Sequence, residues 1–474
     1  MLPRLSRDPV TRLAWALLLV AVAVRLYGLD RLPGINGDET WLAVQVQHLL
    51  RGEAFALRTP TRMFINPLLV ASEAALLTVL PPSGWTLRLP VALWGLAGLA
   101  LLGWLSWRLW RDRTQALLAT TLLACAPLAV AYGHCAWDPS FLFVVAPLVV
   151  LPALRLADAR ANRVDIALLL FGVVACLWVH LTAALLLAVL ALGIWRLRNP
   201  SPWLMVGLAP LALGLALGLA QITGHGAQSW WLLADRDLRF LTQPQGALHL
   251  FALPGLLVTG GRAFSFFVGM PETPLVWLVA ASATCGLFAL AWRLRRSDLP
   301  SDRLLAWSWL FLPLPWWLAS GLLMPQAPGR ERYVVWVLIP AVLLLVRGLR
   351  EAPRLVLAVG ATSAVLSVAW LAAVDRQPWP TTTHVAFRTG VQEPKVAVAG
   401  QIRARAKPGE PLRVAVADWW LEHPLRYLLP ADSQIGIGLS HPQFRVVWAN
   451  EAPSSAIETL YDRDGRAILS LVAP

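Results

Sequence analysis

Two acidic residues stand side by side in Gly37-Asp38-Glu39-Thr40, just past the first long apolar run of the chain. An ionised carboxylate near lipid costs roughly several kcal/mol unless it faces water or a partner. A carboxylate held at the water–lipid boundary can act as a general base, taking the proton of an acceptor hydroxyl. It can also cap a helix beginning near Thr40, since Asp is a favoured N-cap, and the two roles are compatible. A second acid, Asp138, lies in His134-Cys135-Ala136-Trp137-Asp138-Pro139-Ser140 at the end of another apolar run. Its bland role is to start the helix at Pro139. Acids from two loops at one depth make a better candidate site than either alone. His134 and Trp137 would then border the substrate, together with Tyr333.

Four arginines lie on the same expected side: Arg58 and Arg62 near the acidic loop, and Arg330 and Arg332 in Gly329-Arg330-Glu331-Arg332-Tyr333. Guanidinium binds phosphate oxygens in bidentate fashion, so these are candidates for holding a leaving phosphate. Their structural alternative is an interfacial arginine whose head reaches for water. The histidines show no metal-ligand spacing. Asp38, Glu39 and Asp138 offer the hard oxygens a divalent cation favours, although no cage is legible. Walker and Rossmann glycine loops are absent, so an activated donor has to arrive other than as a bound nucleotide.

The elements that must position these residues are apolar. Hydrophobic residues make up 57% of the 474 positions and charged residues 14%, far from the roughly 25% charged of a soluble domain. Runs long enough to cross a bilayer recur. They predict about eleven spans: Leu13–Leu29, Leu89–Trp107, Gln115–Tyr132, Phe141–Leu154, Val164–Val179, Leu181–Trp195, Pro202–Ile222, Pro274–Trp292, Leu304–Met324, Tyr333–Val346 and Leu355–Val374. Met63–Leu80 is apolar too, but a crossing there would put Arg108, Arg111 and Arg113 outside. It is expected to lie in the interface or between spans. The apolar part of the loop after Ile222, His249–Met270, is expected to be re-entrant.

The net charge of +13 does not point to nucleic acid, because no basic stripe alternates with aromatics. Nearly all the positive charge is arginine in short loops between apolar runs, the signature of the cytoplasmic side. That places residues 30–88, the acids and the tail outside. The apolar stretch from Leu13 continues into the acidic loop, so it reads as a retained anchor rather than a cleaved signal. Cys125, Cys135, Cys176 and Cys285 form no disulfide framework.

Composition changes after Asp375. Residues 1–375 form the membrane module, and 376–474 a small soluble α/β domain. Its strand-like runs are Leu412–Ala417, Phe444–Trp448 and Ala467–Val472, and its helix-like run is Trp420–Leu429.

Four motifs in this order resemble the GT-C superfamily of integral-membrane glycosyltransferases. The likeness is to the branch of protein O-mannosyltransferases and bacterial lipid A aminoarabinose transferases. The motifs are Gly37-Asp38-Glu39 after the first span; Leu87-Arg88-Leu89-Pro90-Val91-Ala92-Leu93, similar to the family's "RLPSAL"; Trp137-Asp138-Pro139-Ser140; and Arg332-Tyr333 with Pro340. The likeness covers about residues 10–375. It implies a polytopic all-α GT-C fold in the plasma membrane (the bacterial inner membrane), with the active site and tail extracytoplasmic. It implies a polyprenyl-phosphate-linked sugar donor, Asp38 as the base, Glu39 and Asp138 in support of acceptor or metal contacts, and a protein, lipid or glycan acceptor. The family's Lys/His-Pro-Pro-Leu motif, which helps hold donor phosphate, reads Phe64-Ile65-Asn66-Pro67-Leu68 here. Arg62, one turn earlier, can stand in for the missing cation.

The expected activity is an inverting transfer of a hexosyl or pentosyl group to a hydroxyl. A transporter or lipid flippase would instead need acids or broken helices near the bilayer midplane. A non-catalytic scaffold would tolerate joint loss of Asp38 and Asp138.

Overall fold

The computed structural model describes residues 8–59, 65–160, 162–180, 183–197, 244–314, 331–376, 393–407, 409–454, 456–461, 465 and 467–473, without the side chains of 244–250, 331–333 and 393. The described residues of the membrane part are mostly helical. Its helices are α1 (Pro9–Leu26), α2 (Gly37–Leu50), α3 (Pro67–Leu77), α4 (Gly84–Trp110), α5 (Arg113–Cys125), α6 (Pro127–Gly133), α7 (Leu142–Ala157), α8 (Arg163–Val179) and α9 (Ala184–Trp195). After residues outside the description come α10 (Pro244–Thr259), α11 (Gly261–Phe267), α12 (Pro274–Leu294), α13 (Pro300–Phe311), α14 (Leu338–Gly348) and α15 (Pro353–Arg376).

Five helical stretches among the described residues are long and apolar enough to cross a bilayer: α1, α4, Asp138–Ala157, α12 and α15. A bent pair, α5 with α6, makes a sixth. The chain is an integral membrane protein, but the expected eleven spans are not reached over these residues. Pro202–Ile222 and the second half of Leu304–Met324 lie outside them. The α3 helix has 11 residues, about 17 Å of rise, too short to cross. It packs between α2 and α4, as the charge argument required.

The run Gln115–Tyr132 was expected to be one continuous span. It is broken, with α5 and α6 meeting at 63°. Pro127 has no N–H to give and pushes Ala126 out of the helical region (φ −63°, ψ 120°). The break strands carbonyls where no water can reach them, and two distant residues answer it. Arg25, at the end of α1 and 4% exposed, donates to the carbonyls of Leu123 (3.0 Å), Ala124 (3.3 Å) and Ala129 (3.0 Å). Ser367 Oγ donates to Cys125 O at 2.7 Å. A charge inside the first span is thereby put to use as a donor to three carbonyls.

Every residue of α7 is buried, with α4, α8, α13 and α14 packed around it. The two ends of this bundle differ. At the end where α4 and α7 finish, Asp165 accepts from Arg155 Nε (3.0 Å) and pairs with Arg108 (3.1 Å). Nearby, Asp302 pairs with Arg347 at 2.7 Å. Loop arginines expected to be solvated topology markers are thus partly tied into the helix ends. At the other end, where α2, α4 and α7 begin, lie the acids of interest.

The tail forms α16 (Glu393–Arg405), β1 (Arg413–Val416), α17 (Trp419–Leu428), β2 (Gln434–Ile437), β3 (Phe444–Trp448), β4 (Ala456–Tyr461) and β5 (Ala467–Val472). Its sheet runs β2-β1-β3-β5-β4. β1 is parallel to β2 and β3, while β5 is antiparallel to β3 and β4. All three expected strands are present, along with the expected helix. The short, half-exposed β2 and β4 and the polar α16 were not anticipated.

Replacing Arg25 by Leu should destabilise the protein by roughly 3 kcal/mol, about 1 kcal/mol for each hydrogen bond lost. Thermal unfolding of the detergent-solubilised protein measures this, and an unchanged midpoint would refute the carbonyl accounting.

Candidate functional site

The α2 helix starts with a capping box. Asn36 Oδ1 accepts from Glu39 N (3.1 Å), and Glu39 Oε2 accepts from Asn36 N (3.3 Å) and Asn36 Nδ2 (2.7 Å). The N-cap is therefore Asn36, two residues before the aspartate expected to fill it. Asp38 is left in the first turn, partly exposed, where the helix dipole favours its charge.

Glu39 has a different fate. It is fully buried. Arg88, from the first turns of α4 and also fully buried, donates to it through Nε (3.0 Å) and a terminal nitrogen (2.9 Å). The remaining Arg88 donors reach Pro33 O (2.6 Å) and Gly34 O (3.3 Å). Glu39 Oε1 also accepts from Ala136 N at 2.8 Å. The adjacent acids thus divide: Glu39 is occupied as a structural anchor, and Asp38 beside it stays partly exposed. With both Glu39 oxygens engaged, the three-carboxylate metal set does not assemble. Among the described residues no group of three His, Cys, Asp or Glu side chains is arranged to hold a metal ion.

The anchor also draws in the second acidic loop. Trp137 Nε1 donates to Asn36 Oδ1 (3.3 Å). Its ring packs against Phe267 (6.3 Å between centroids) and Tyr132 (5.8 Å). Asp138, partly buried, follows at once and begins the 3-10 turn Asp138–Phe141 that leads into α7. Asp38 and Asp138, a hundred positions apart, therefore come from two segments hydrogen-bonded to each other at one end of the bundle. The 3-10 turn Glu331–Val337, which carries Arg332 and Tyr333, packs against the Asp138–Phe141 turn.

Other expected residues lie elsewhere. His134 is fully buried. Its ring nitrogens face Val130 O (2.9 Å) and Tyr27 O (3.1 Å), and its ring meets Trp370 edge-on. It packs behind the site rather than lining it. Arg58 is exposed in the loop between α2 and α3. Arg62 and Arg330 lie outside the described residues, as do the side chains of Arg332 and Tyr333.

The tail supplies residues that the sequence did not flag for this site. α17 packs along α2. Trp419 lies on Gly37 so closely that a Cβ there would sit 2.6 Å from Trp419 Cδ1 and 2.9 Å from Trp419 O. Only glycine fits the position. Asp418 fixes Trp419 by capping α17 through Trp420 N (2.9 Å), and it accepts from Trp448 Nε1 (2.8 Å). Tyr427 hydroxyl exchanges hydrogen bonds with Ser83 N and O, just before α4. Lys395, fully buried in α16, donates from Nζ to Ile35 O. Burial lowers the Lys395 amine to a pKa of about 7, against the opposing pull of Asp418 and Glu39. The loop bearing Asp38 is thus gripped from both sides, by Arg88 and by the tail.

No family model matches the chain, and no curated protein matches it. Solved structures do. ArnT from Cupriavidus metallidurans, in the apo state, aligns over 98% of this chain and 100% of its own, with 16% identity and a TM-score of 0.51. The chain shares the fold of ArnT. A second structure of ArnT, bound to undecaprenyl phosphate, covers 98% of this chain and 99% of its own at 15% identity and a TM-score of 0.42. The oligosaccharyltransferase of Archaeoglobus fulgidus, solved with Zn and sulfate, covers 92% of this chain and 68% of its own, with 11% identity and a TM-score of 0.51. At these identities the likeness is one of fold.

Two measurements probe the grip. Arg88→Met leaves Glu39 as a buried uncompensated charge and should cost about 3–5 kcal/mol; adding Glu39→Gln should recover part of that in thermal unfolding. Between about pH 7 and the ordinary lysine pKa of 10.5, the unfolded chain binds a proton at Lys395 that the folded chain does not. Lys395 therefore makes stability rise with pH across that window. Melting curves of the parent and Lys395→Met should diverge in slope there, and parallel curves would refute the buried neutral amine.

Proposed function

We propose that this protein is an inverting glycosyltransferase that moves a hexosyl or pentosyl group from a polyprenyl-phosphate donor to an acceptor hydroxyl. The observation that carries the reading is the presentation of Asp38: a partly exposed carboxylate on a rigidly anchored helix start, beside the Asp138 loop, in a GT-C fold aligned over 98% of the chain. The lipid donor comes from the ligands of the fold relatives, undecaprenyl phosphate in ArnT and a dolichol-phosphate in the archaeal oligosaccharyltransferase.

Asp38 accepts the proton of the acceptor hydroxyl as its oxygen attacks the anomeric carbon. The bond from that carbon to the phosphate oxygen breaks, and polyprenyl phosphate leaves with the electron pair. Arg58, Arg62, Arg330 and Arg332 are the cations assigned to its charge, and Asp138 orients the acceptor. Trp137 and Tyr333 border the pocket. Glu39 acts as a positioning residue through Arg88 and Ala136. Most of the acceleration then comes from orientation and preorganised charge.

We place the site and the tail domain (residues 376–474) on the extracytoplasmic face of the plasma membrane, the inner membrane in a bacterium. The arginines at the opposite end of the bundle, including Arg108, Arg155 and Arg347 in the last turns of α4, α7 and α14, support this orientation.

Asp38→Asn should lower transfer by about 10²–10⁴-fold, the usual worth of a positioned base, with an unchanged melting temperature. Transfer of labelled sugar from a polyprenyl-phosphate donor by the purified variant measures it. A parental rate would refute Asp38 as the base.

A further inference from the structure

The proposed mechanism leaves two buried polar side chains on α3 without employment. That helix is apolar except for Ser72 and Glu73. Its inward stripe is Asn66, Leu69 and Glu73, at 0%, 0% and 1% exposure, a spacing of three and four that lines one helix face. Asn66 Oδ1 caps the helix through Leu68 N (3.0 Å), while Asn66 Nδ2 has no hydrogen-bond partner among the described residues. Neither carboxyl oxygen of Glu73 has one either. Ser72, the other polar residue, is satisfied: it donates to Leu68 O and accepts from Trp94 Nε1.

Glu73 lies on the side of the site. The charges of Glu39 and Asp138 act on it, and it acts in turn on the Tyr427 phenol of the tail. Burial first, then these two acids, hold its carboxyl well above the usual carboxylate range. In its protonated form the carboxyl has one O–H to donate and a carbonyl oxygen to accept. An orphaned buried carboxyl costs stability, and an apolar side chain of similar size would pack there at less cost. Such a group is explained when a ligand supplies its partners.

The ligand's chemistry follows from the two groups. Asn66 and Glu73 are seven residues apart, about 10 Å along the helix axis. One offers a donor, the other a donor and an acceptor. A hydroxyl-rich headgroup of that length satisfies both; a fatty acyl chain satisfies neither. We propose that the inward face of α3 recognises the sugar of the lipid-linked donor, with Glu73 bonded to a sugar hydroxyl and Asn66 Nδ2 to an acceptor oxygen of the same headgroup. This rests on the lipid-donor reading above and adds to it a sugar-recognising site.

The test uses the full-length purified protein and four probes: undecaprenyl phosphate, and the same lipid carrying glucose, mannose or arabinose. Titration gives the affinity for each. The parent should bind at least one glycosylated lipid more tightly than the bare phosphate. Glu73→Leu should lose that advantage by about tenfold, one hydrogen bond's worth in a dry site, while keeping its affinity for undecaprenyl phosphate and melting no lower than the parent. Glu73→Gln, which keeps a donor and an acceptor, should retain most of the preference. A Glu73→Leu protein with the parental preference overturns the proposal. If the leucine variant fails to fold, Glu73→Gln against Glu73→Asp decides: retention by Gln with tenfold loss by Asp supports the site, and equal preference overturns it. A parent that binds all four probes equally overturns this inference alone. A parent that binds none overturns the lipid-donor reading with it.

Discussion

The Glu39–Arg88 pair is the interaction on which the rest of the site depends. Both groups are fully buried, so each would be costly alone. Together they share their donors and acceptors with the chain around them: Pro33 and Gly34 before α2, Asn36 at its cap, and Ala136 before the second acid. One ion pair therefore fixes the start of α2, the start of α4 and the approach to α7. The backbone that carries Asp38 is thereby held in place. Catalysis by orientation asks for that kind of rigidity.

The bundle handles buried polarity by the same rule elsewhere. Arg25 is spent on the carbonyls freed by the α5–α6 break, Asp165 and Asp302 on arginines at the far end. Charges inside the membrane part are mostly structural fasteners. Against that background the residues that are not fastened, Asn66 Nδ2 and Glu73, stand out more clearly than they would in a wetter protein.

Some of this could be read from the sequence, and the reason differs by residue. Asp38 and Asp138 were visible because acids are rare in apolar surroundings. The strands Phe444–Trp448 and Ala467–Val472 were visible because their apolar residues are bounded by turns. What stayed hidden depends on contacts distant in sequence. Nothing at Glu39 says that its oxygens belong to residue 88 and residue 136 rather than to a substrate, although an arginine just inside an apolar run was a signal that Arg88 needed a buried partner. Glu73 gave the same signal, a lone acid in an eleven-residue greasy helix, and was passed over because hydropathy windows average it away. The eleven expected spans are not reached over the described residues, partly because Pro202–Ile222 and the second half of Leu304–Met324 lie outside them. A window also sees apolar length without seeing that Pro127 bends the run Gln115–Tyr132 by 63°.

The close seat of Trp419 on Gly37 has a consequence for how the molecule is made. The helix that carries the proposed base is made long before the lysine and tryptophan that close over its leading turn. A nascent chain without the tail still lacks the Trp419 and Lys395 contacts on the start of α2. They form only once the tail has folded and settled onto the bundle.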